Sequence, residues 1–265
     1  MENPRKYGSS PYLAALVHGG PGAAGELAPV ARVLSGRFGV LEPLQTAVSL
    51  AGQIEELASQ LTRSGAAPLT LVGYSWGAWL VLLAAAKYPL LTSKVVLVSS
   101  GPFEVSFADL ILPARLSRLP EGERAELSSL LESFNCGQGT DSGLARIGGL
   151  CGKADSFAPL PHEPEPNPLP CRADIFGKVW AEAAELRRSG KLLETVSRVT
   201  CPVVAIHGEH DPHPAEGVSG PLSRVLRDFR FISLPRCGHT PWHERYASAL
   251  FYEKLFAEIL PLPCK

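Results

Sequence analysis

Gly73-Tyr74-Ser75-Trp76-Gly77, set between the apolar run 69–72 and the helix-forming stretch 78–87, decides how this 265-residue chain is read. The pattern G-x-S-x-G between a strand and a helix describes a sharp turn that lifts a serine hydroxyl above the end of a sheet. Its glycines have a mechanical role. The turn brings strand and helix backbones closer than larger side chains allow, and it holds the serine in strained geometry. Some fifty residues earlier stands a second glycine-rich turn, His18-Gly19-Gly20-Pro21-Gly22.

Outward from these turns, short apolar runs alternate with helical periodicity. Tyr12–Val17 reads as a buried strand that enters the His18 turn, 23–34 as a helix and 38–41 as a short strand. Over 49–64, Ile54, Leu57 and Leu61 mark one face of an amphipathic helix, with Gln53, Glu56 and Gln60 opposite. Trp76–Lys87 is the helix after the serine, and 94–99 another apolar strand. Runs of this kind, β-branched and without alternation, suit a parallel sheet covered on both faces by helices. The rhythm breaks after Gly101-Pro102. Residues 103–198 hold helical stretches such as 107–119, a glycine-rich section at 137–149 and a proline-rich connector at 159–170. It returns with a strand at 203–207, a helix around 220–227, the strand Phe229–Leu234 and a final helix over 244–260. The expected plan is an α/β core, 1–102 with 199–265, interrupted by a helical cap at 103–198.

A serine hydroxyl needs a base to become a nucleophile, and the base needs an orienting carboxylate. Two strand ends downstream of Ser75 offer them. The run 203–207 leads into Gly208-Glu209-His210-Asp211, and Phe229–Leu234 leads into Arg236-Cys237-Gly238-His239. Ser75, Asp211 and His239 would then come from three loops on one edge of a parallel sheet, where active sites of such sheets lie.

With those three motifs in this order, the chain resembles the α/β-hydrolase superfamily over nearly its whole length. The resemblance implies Ser75 as nucleophile, His239 as general base and then acid, and Asp211 as orienter, with Glu209 the rival for the acid. It implies oxyanion donors at the backbone N–H groups of Trp76 and Gly20, and a reaction without a cofactor or metal. His18-Gly19-Gly20-Pro21-Gly22 with Gly-x-Ser-Trp-Gly is similar to the prolyl-aminopeptidase branch, whose cap carries glutamates for a substrate ammonium. However, the Asp-x-Arg-Gly segment of that branch is absent from 41–50, and the first strands of the fold are missing or very short. A carboxylesterase acting on small esters through an acyl-enzyme is the leading expectation. A prolyl-type aminopeptidase is the alternative, and a non-catalytic small-molecule receptor the reading of another class.

Bulk composition narrows the partners. Hydrophobic residues make up 45% and charged residues 19%, with a net charge of −1, so no basic field exists to draw in nucleic acid or anionic lipid. The longest apolar stretch, 78–86, is too short to span a bilayer. The polar first ten residues lack the apolar segment of a secretory leader, which predicts a cytoplasmic protein. The six cysteines contain no C-x-x-C pair, and reduced thiols are expected, with a Cys136–Cys151 disulfide the less favoured option. His207, His210 and His213 with Glu209 and Asp211 look like a metal cluster, but they straddle a strand end and a proline-containing loop that lacks one-sided helical spacing. Trp79 and Trp180 are expected to pack, a tryptophan in the insertion having the option of lining a pocket; Trp242 is expected to buttress the histidine loop, and Glu163, Glu165 and Glu182 to lie on solvated surface, with binding of a substrate amine the alternative. A bare first sheet edge would leave room for a homodimer.

Overall fold

In the computed structural model, which describes residues 2–161 and 168–260, the apolar runs pair into one seven-stranded sheet. Its strands are β1 (Arg5–Tyr7), β2 (Tyr12–Val17), β3 (Gly39–Glu42), β4 (Leu69–Tyr74), β5 (Thr92–Val98), β6 (Val203–Gly208) and β7 (Phe229–Leu234). The spatial order is β1-β3-β2-β4-β5-β6-β7. Only β1 runs antiparallel, pairing Arg5 with Glu42 and Tyr7 with Val40. The first strands, expected to be missing or very short, are represented by the three-residue β1, which forms this edge of the sheet. Too short to show an apolar pattern, it was invisible to periodicity.

The absence of alternation in the strands has a direct cause. Neighbouring side chains leave a strand on opposite faces, and here both faces are buried. Ala15, Val17, Leu69, Leu71, Val95, Leu97, Val203 and Ala205 pack on one side, against α2 (Leu50–Ser64), α3 (Trp76–Lys87) and helices from the later part of the chain. Ala14, Leu16, Val72, Val96, Val98 and Ile206 pack on the other side, where α1 (Ala28–Leu34) and α11 (Ser248–Ile259) cover the sheet. Local chemistry sets the ends of α2. Ser49 Oγ accepts from Gly52 N at 3.1 Å, and Gly65 closes the helix at φ 66°.

Between the adjacent strands β5 and β6 the chain makes a long excursion through α4 (Val105–Ala108), α5 (Ile111–Arg118), α6 (Glu121–Asn135), α7 (Asp141–Asp155), α8 (Ala173–Arg188) and α9 (Lys191–Val196). These helices divide by what they bury. Leu119, Leu127, Ile147, Leu150 and Ala154 form a small separate core between α5, α6 and α7. Ile175, Val179 and Ala183 of α8, with Leu192 and Val196 of α9, join the main core instead. The glycine-rich section proves to be the body of α7, started by Thr140 Oγ1 accepting from Gly143 N at 3.0 Å. Of the proline-rich connector, 162–167 lie outside the described residues, as do the calls on Glu163 and Glu165. After β6 come α10 (Glu216–Val225), earlier than the helix expected around 220–227, and a single turn at Pro241–His243. The last helix begins at Ser248 rather than 244. Likewise only Ala28–Leu34 of the expected 23–34 is helical, because Gly20, Gly22 and Gly25 all take positive φ.

The close approach that organises this core lies at Gly77. A Cβ there would collide with the carbonyl oxygens of Val17 and His18 at the end of β2. Gly77→Ala therefore has to push α3 off the strand, and a cost of about 1–3 kcal/mol is expected from overpacking against backbone that cannot yield. Urea unfolding measures it; an unchanged midpoint would show slack between β2 and α3.

Candidate active site

Four strands deliver the site residues from their carboxyl ends. β4 ends at Tyr74, and Ser75 follows with φ 51° and ψ −113°, far from the regions open to ordinary residues. Its N–H donates to Val98 O at 2.9 Å, which anchors the turn to β5. Trp76 opens α3, so its N–H is among the first donors of a helix and has no intrahelical acceptor. The contact at Gly77 places the end of β2, and with it the turn 18–22, directly beside this helix start. Within the turn, Gly20 has φ 46°, and its carbonyl accepts from Ala23 N at 2.9 Å. His18 is fully buried. Its Nε2 accepts from Gln45 N at 3.3 Å, which assigns the proton to Nδ1 and makes that atom the donor to Gly19 O at 2.7 Å. Burial pushes its pKa down, so this histidine is a neutral brace for the turn.

The loop after β6 carries the acid. Asp211 is buried, and its two oxygens serve two imidazoles: Oδ2 accepts from His239 Nδ1 at 2.8 Å and Oδ1 from His213 Nδ1 at 2.7 Å. The His213 backbone N–H donates to the same Oδ1 at 2.9 Å. Burial opposes the charge of this carboxylate, but His239, His213 and His207 outweigh it and hold its pKa well below the usual carboxylate range. Glu209, the rival, sits on the exposed side of the loop with Ser233 Oγ donating to it at 3.2 Å.

The two imidazoles that share Asp211 titrate in opposite directions. Burial also opposes charge on His239, yet the charge of Asp211 and its hydrogen bond prevail and raise the pKa above 6.5. On His213, burial wins, helped by repulsion from His239, and the pKa falls to about 4. The rings stack with centroids 4.3 Å apart. One acid thus orients a basic imidazole and a neutral one. Asp211, His213 and His239 place ligand atoms within 4.8 Å of one another, as a metal site would. Both carboxylate oxygens and both Nδ1 atoms are already committed to each other, so these donors fit an acid–base network better than a cation.

The loop that carries His239 is held from the helical excursion. The buried Glu244 carboxylate accepts from Gly238 N, Phe157 N and Ala158 N at 3.0, 2.7 and 2.7 Å. The His239 N–H donates to Asp155 O at 3.0 Å, and the Asp155 carboxylate is gripped by Arg115 through Nε and Nη2. Trp242 packs edge-on to Tyr74 at 4.7 Å, and Tyr74 lies 5.1 Å from the His239 ring. That places Trp242 behind the histidine, outside the cavity. No hydrogen bond joins the Ser75 hydroxyl to His239 in this structure; such bonds commonly tighten only with substrate bound.

Ser75, Trp76, Gly20 and His213 border a cavity of about 680 Å³, the size of a small-molecule site, between the sheet and the helical excursion. Trp79, expected to pack, and Trp180, for which lining a pocket was the alternative to packing, both line it, stacked at 6.3 Å with an interplanar angle of 8°. Glu182 does not line it; the carboxylate accepts from Leu50 N at 2.7 Å at the start of α2. Two residues here escaped the sequence reading. His213 had been weighed only as a metal ligand. Glu26 follows the glycine turn, and a side chain at position 19 would meet both its Oε2 and the Tyr74 ring. Glu26 lines the cavity and is partly exposed. Desolvation there pushes its carboxyl up to about 7, against the opposing pull of His239.

Residues 14–251 match the alpha/beta hydrolase family, and the chain belongs to it. No curated protein matches it. Among solved structures it is similar to VinJ, with 16% identity, TM-score 0.68, and coverage of 96% of this chain and 93% of that one. A putative lipase from Acinetobacter baumannii AYE shares 18% identity at TM-score 0.64, covering 96% and 86%. The proline iminopeptidase of Mycobacterium smegmatis shares 19% at TM-score 0.61, covering 95% and 90%. At such identities the likeness speaks to the fold alone. No helix among the described residues is long and apolar enough to cross a membrane.

A histidine base must be neutral to accept a proton. Because the pKa of His239 is raised, the acid limb of kcat/KM is expected above 6.5, and a midpoint below that value would contradict the Asp211 pairing. Ionised Glu26 favours the imidazolium, so Glu26→Gln should move this limb toward lower pH. An unmoved limb would show that the two groups do not interact.

Proposed function

We propose that this hydrolase acts on small carboxylic esters through an acyl-enzyme formed on Ser75. The observation that carries the reading is the 2.8 Å hydrogen bond from His239 to the buried Asp211, set at the same strand ends as a serine in strained backbone geometry. His239 Nε2 takes the hydroxyl proton as Ser75 Oγ attacks the ester carbonyl. The tetrahedral oxyanion is held by the N–H groups of Trp76 and Gly20, each worth about 2–3 orders of magnitude in rate. The imidazolium then returns its proton to the departing alcohol. Water attacks the acyl-serine with His239 again as base, releasing the acid and freeing Ser75. No step calls for a cofactor. The apolar walls from Trp79 and the helical excursion suit an acyl chain, and a neutral His213 beside His239 keeps a second positive charge away from the imidazolium.

A second reading, an aminopeptidase, draws support from Glu26. A carboxylate beside the glycine turn lies where the ammonium next to a scissile carbonyl would fall, a role that Glu182, engaged at Leu50 N, does not fill.

Short-chain p-nitrophenyl esters beside proline and alanine anilides separate the two. Ester turnover that disappears in Ser75→Ala, together with fluorophosphonate labelling of the wild type only, is the expected result. Preferred anilide cleavage that is lost in Glu26→Gln would favour the aminopeptidase, and silence on both with no labelling would overturn the hydrolytic assignment of Ser75. Asp211→Asn should lower kcat by about 10⁴-fold through the wrong imidazole tautomer, whereas Glu209→Gln should leave it within about twofold, the range of an exposed surface change. The reverse ranking would exchange their roles.

A further inference from the structure

Two arginines line the cavity, and they are in opposite situations. Arg115 is neutralised by Asp155, with Nε and Nη2 on its two oxygens at 2.8 and 2.6 Å. The guanidinium of Arg187, at the end of α8, makes no hydrogen bond and no ion pair among the described residues, and its Nε is shut off from water without an acceptor. What holds it is the face of Trp79, whose ring centroid lies 5.3 Å from the guanidinium carbon. Burial already presses its pKa down, and only the field of Asp109 opposes that. A guanidinium stays charged at any physiological pH, so this site keeps a partly desolvated cation that no side chain among the described residues pairs with by hydrogen bond or ion pair. Such a group is costly unless an anion completes it. An aromatic face also fixes the guanidinium without using any of its N–H donors, leaving them for a ligand.

Trp79 gives the position. It lies one turn after Trp76 on α3, with ring centroids 6.2 Å apart. An α-helical turn is about 5.4 Å long, so Trp79, with Arg187 on its face, borders the cavity about one turn further along α3 than Trp76, the residue after Ser75. The wall there is apolar, with Trp180 stacked on Trp79. We propose that Arg187 forms an anion subsite that receives a carboxylate at the far end of the acyl chain, making half-esters of short dicarboxylic acids the favoured substrates. The proposal deepens the esterase reading and rests on it for the orientation of the chain; the subsite itself can be tested apart from turnover.

The experiment compares wild type with R187Q and R187K on two p-nitrophenyl esters of equal acyl length, the neutral pentanoate and the anionic hemiglutarate. Wild type is expected to favour the hemiglutarate by about tenfold or more in kcat/KM, the worth of one charge-assisted pair, with the difference in KM. R187Q should bring the hemiglutarate-to-pentanoate ratio of kcat/KM to about one, and R187K should restore part of the preference. A wild-type preference for pentanoate, or an equal loss on both esters in a folded variant, would overturn the proposal in favour of a purely packing role. Calorimetry with monomethyl glutarate, in a Ser75→Ala background that cannot form the acyl-enzyme, reads the subsite without chemistry. Binding weakened about tenfold in R187Q, or in R187K should R187Q fail to fold, supports the subsite even if neither ester turns over, a result that would remove only the esterase reading. Absent or unchanged binding would sink the subsite itself.

Discussion

The buried carboxylate of Asp211 is the interaction from which the site takes its form. An ionised group away from water is costly unless partners meet each of its oxygens, and here both are met by imidazole N–H donors. The consequence runs in both directions. The imidazoles keep the acid ionised, and the acid fixes the tautomer and ring direction of each imidazole, presenting the Nε2 edge of His239 to its surroundings. The split between a raised His239 and a lowered His213 follows from the same competition. Two stacked rings at 4.3 Å cannot both carry a proton cheaply, so one imidazole is held basic and its neighbour neutral.

That arrangement depends on parts of the chain far from the strand ends. The loop of His239 is tied by Glu244 to Phe157 and Ala158, and by its own N–H to Asp155, whose side chain is held by Arg115. On the other side, Arg118 of α5 donates to the carbonyls of Ala154 and His210. The excursion between β5 and β6 is therefore more than a cover over the cavity. Its α5–α7 part clamps the acid and base loops, while α8 and α9 are built into the main core and bring Trp180 and Arg187 to the cavity wall. A change in substrate-facing residues of α8 can thus proceed without disturbing the clamp, since the two tasks are assigned to different helices.

Much of this was legible because the chemistry is local. Strand, elbow and helix around Ser75 each leave a signature within fifteen residues, and Asp211 and His239 follow directly after apolar runs that end in glycine-bearing turns. What escaped reading is of a different kind. β1 contributes three residues with no pattern to detect, and its place beside β3 is set by pairing alone. The glycine-rich 137–149 section looked unlike a helix because propensity weighed against it; the Thr140 cap and burial of Leu144, Ile147 and Leu150 overrode that. Nothing in the local sequence singles out Glu26 or Arg187, and only the folding of distant segments around one cavity gives them a common address. His213 is the nearest to a signal that was present and misread: a histidine two residues after the acid is placed to share it, as readily as to share a metal.

The charges around the cavity show how a shared fold acquires a preference of its own. The residues proposed to perform the hydrolytic chemistry lie at strand ends, where backbone register fixes them. The cavity beyond them is mostly apolar, and an apolar wall discriminates weakly between chains that differ by one carbon. Against that background a single unneutralised group has a disproportionate effect, because a ligand that leaves it unpaired forgoes a charge-assisted bond and bears the desolvation as well. Arg115 exerts no such selection, since Asp155 has already answered it. Glu26 can withdraw from selection by taking up a proton near neutral pH. Arg187 cannot, and the specificity of this cavity is for that reason best sought at its guanidinium.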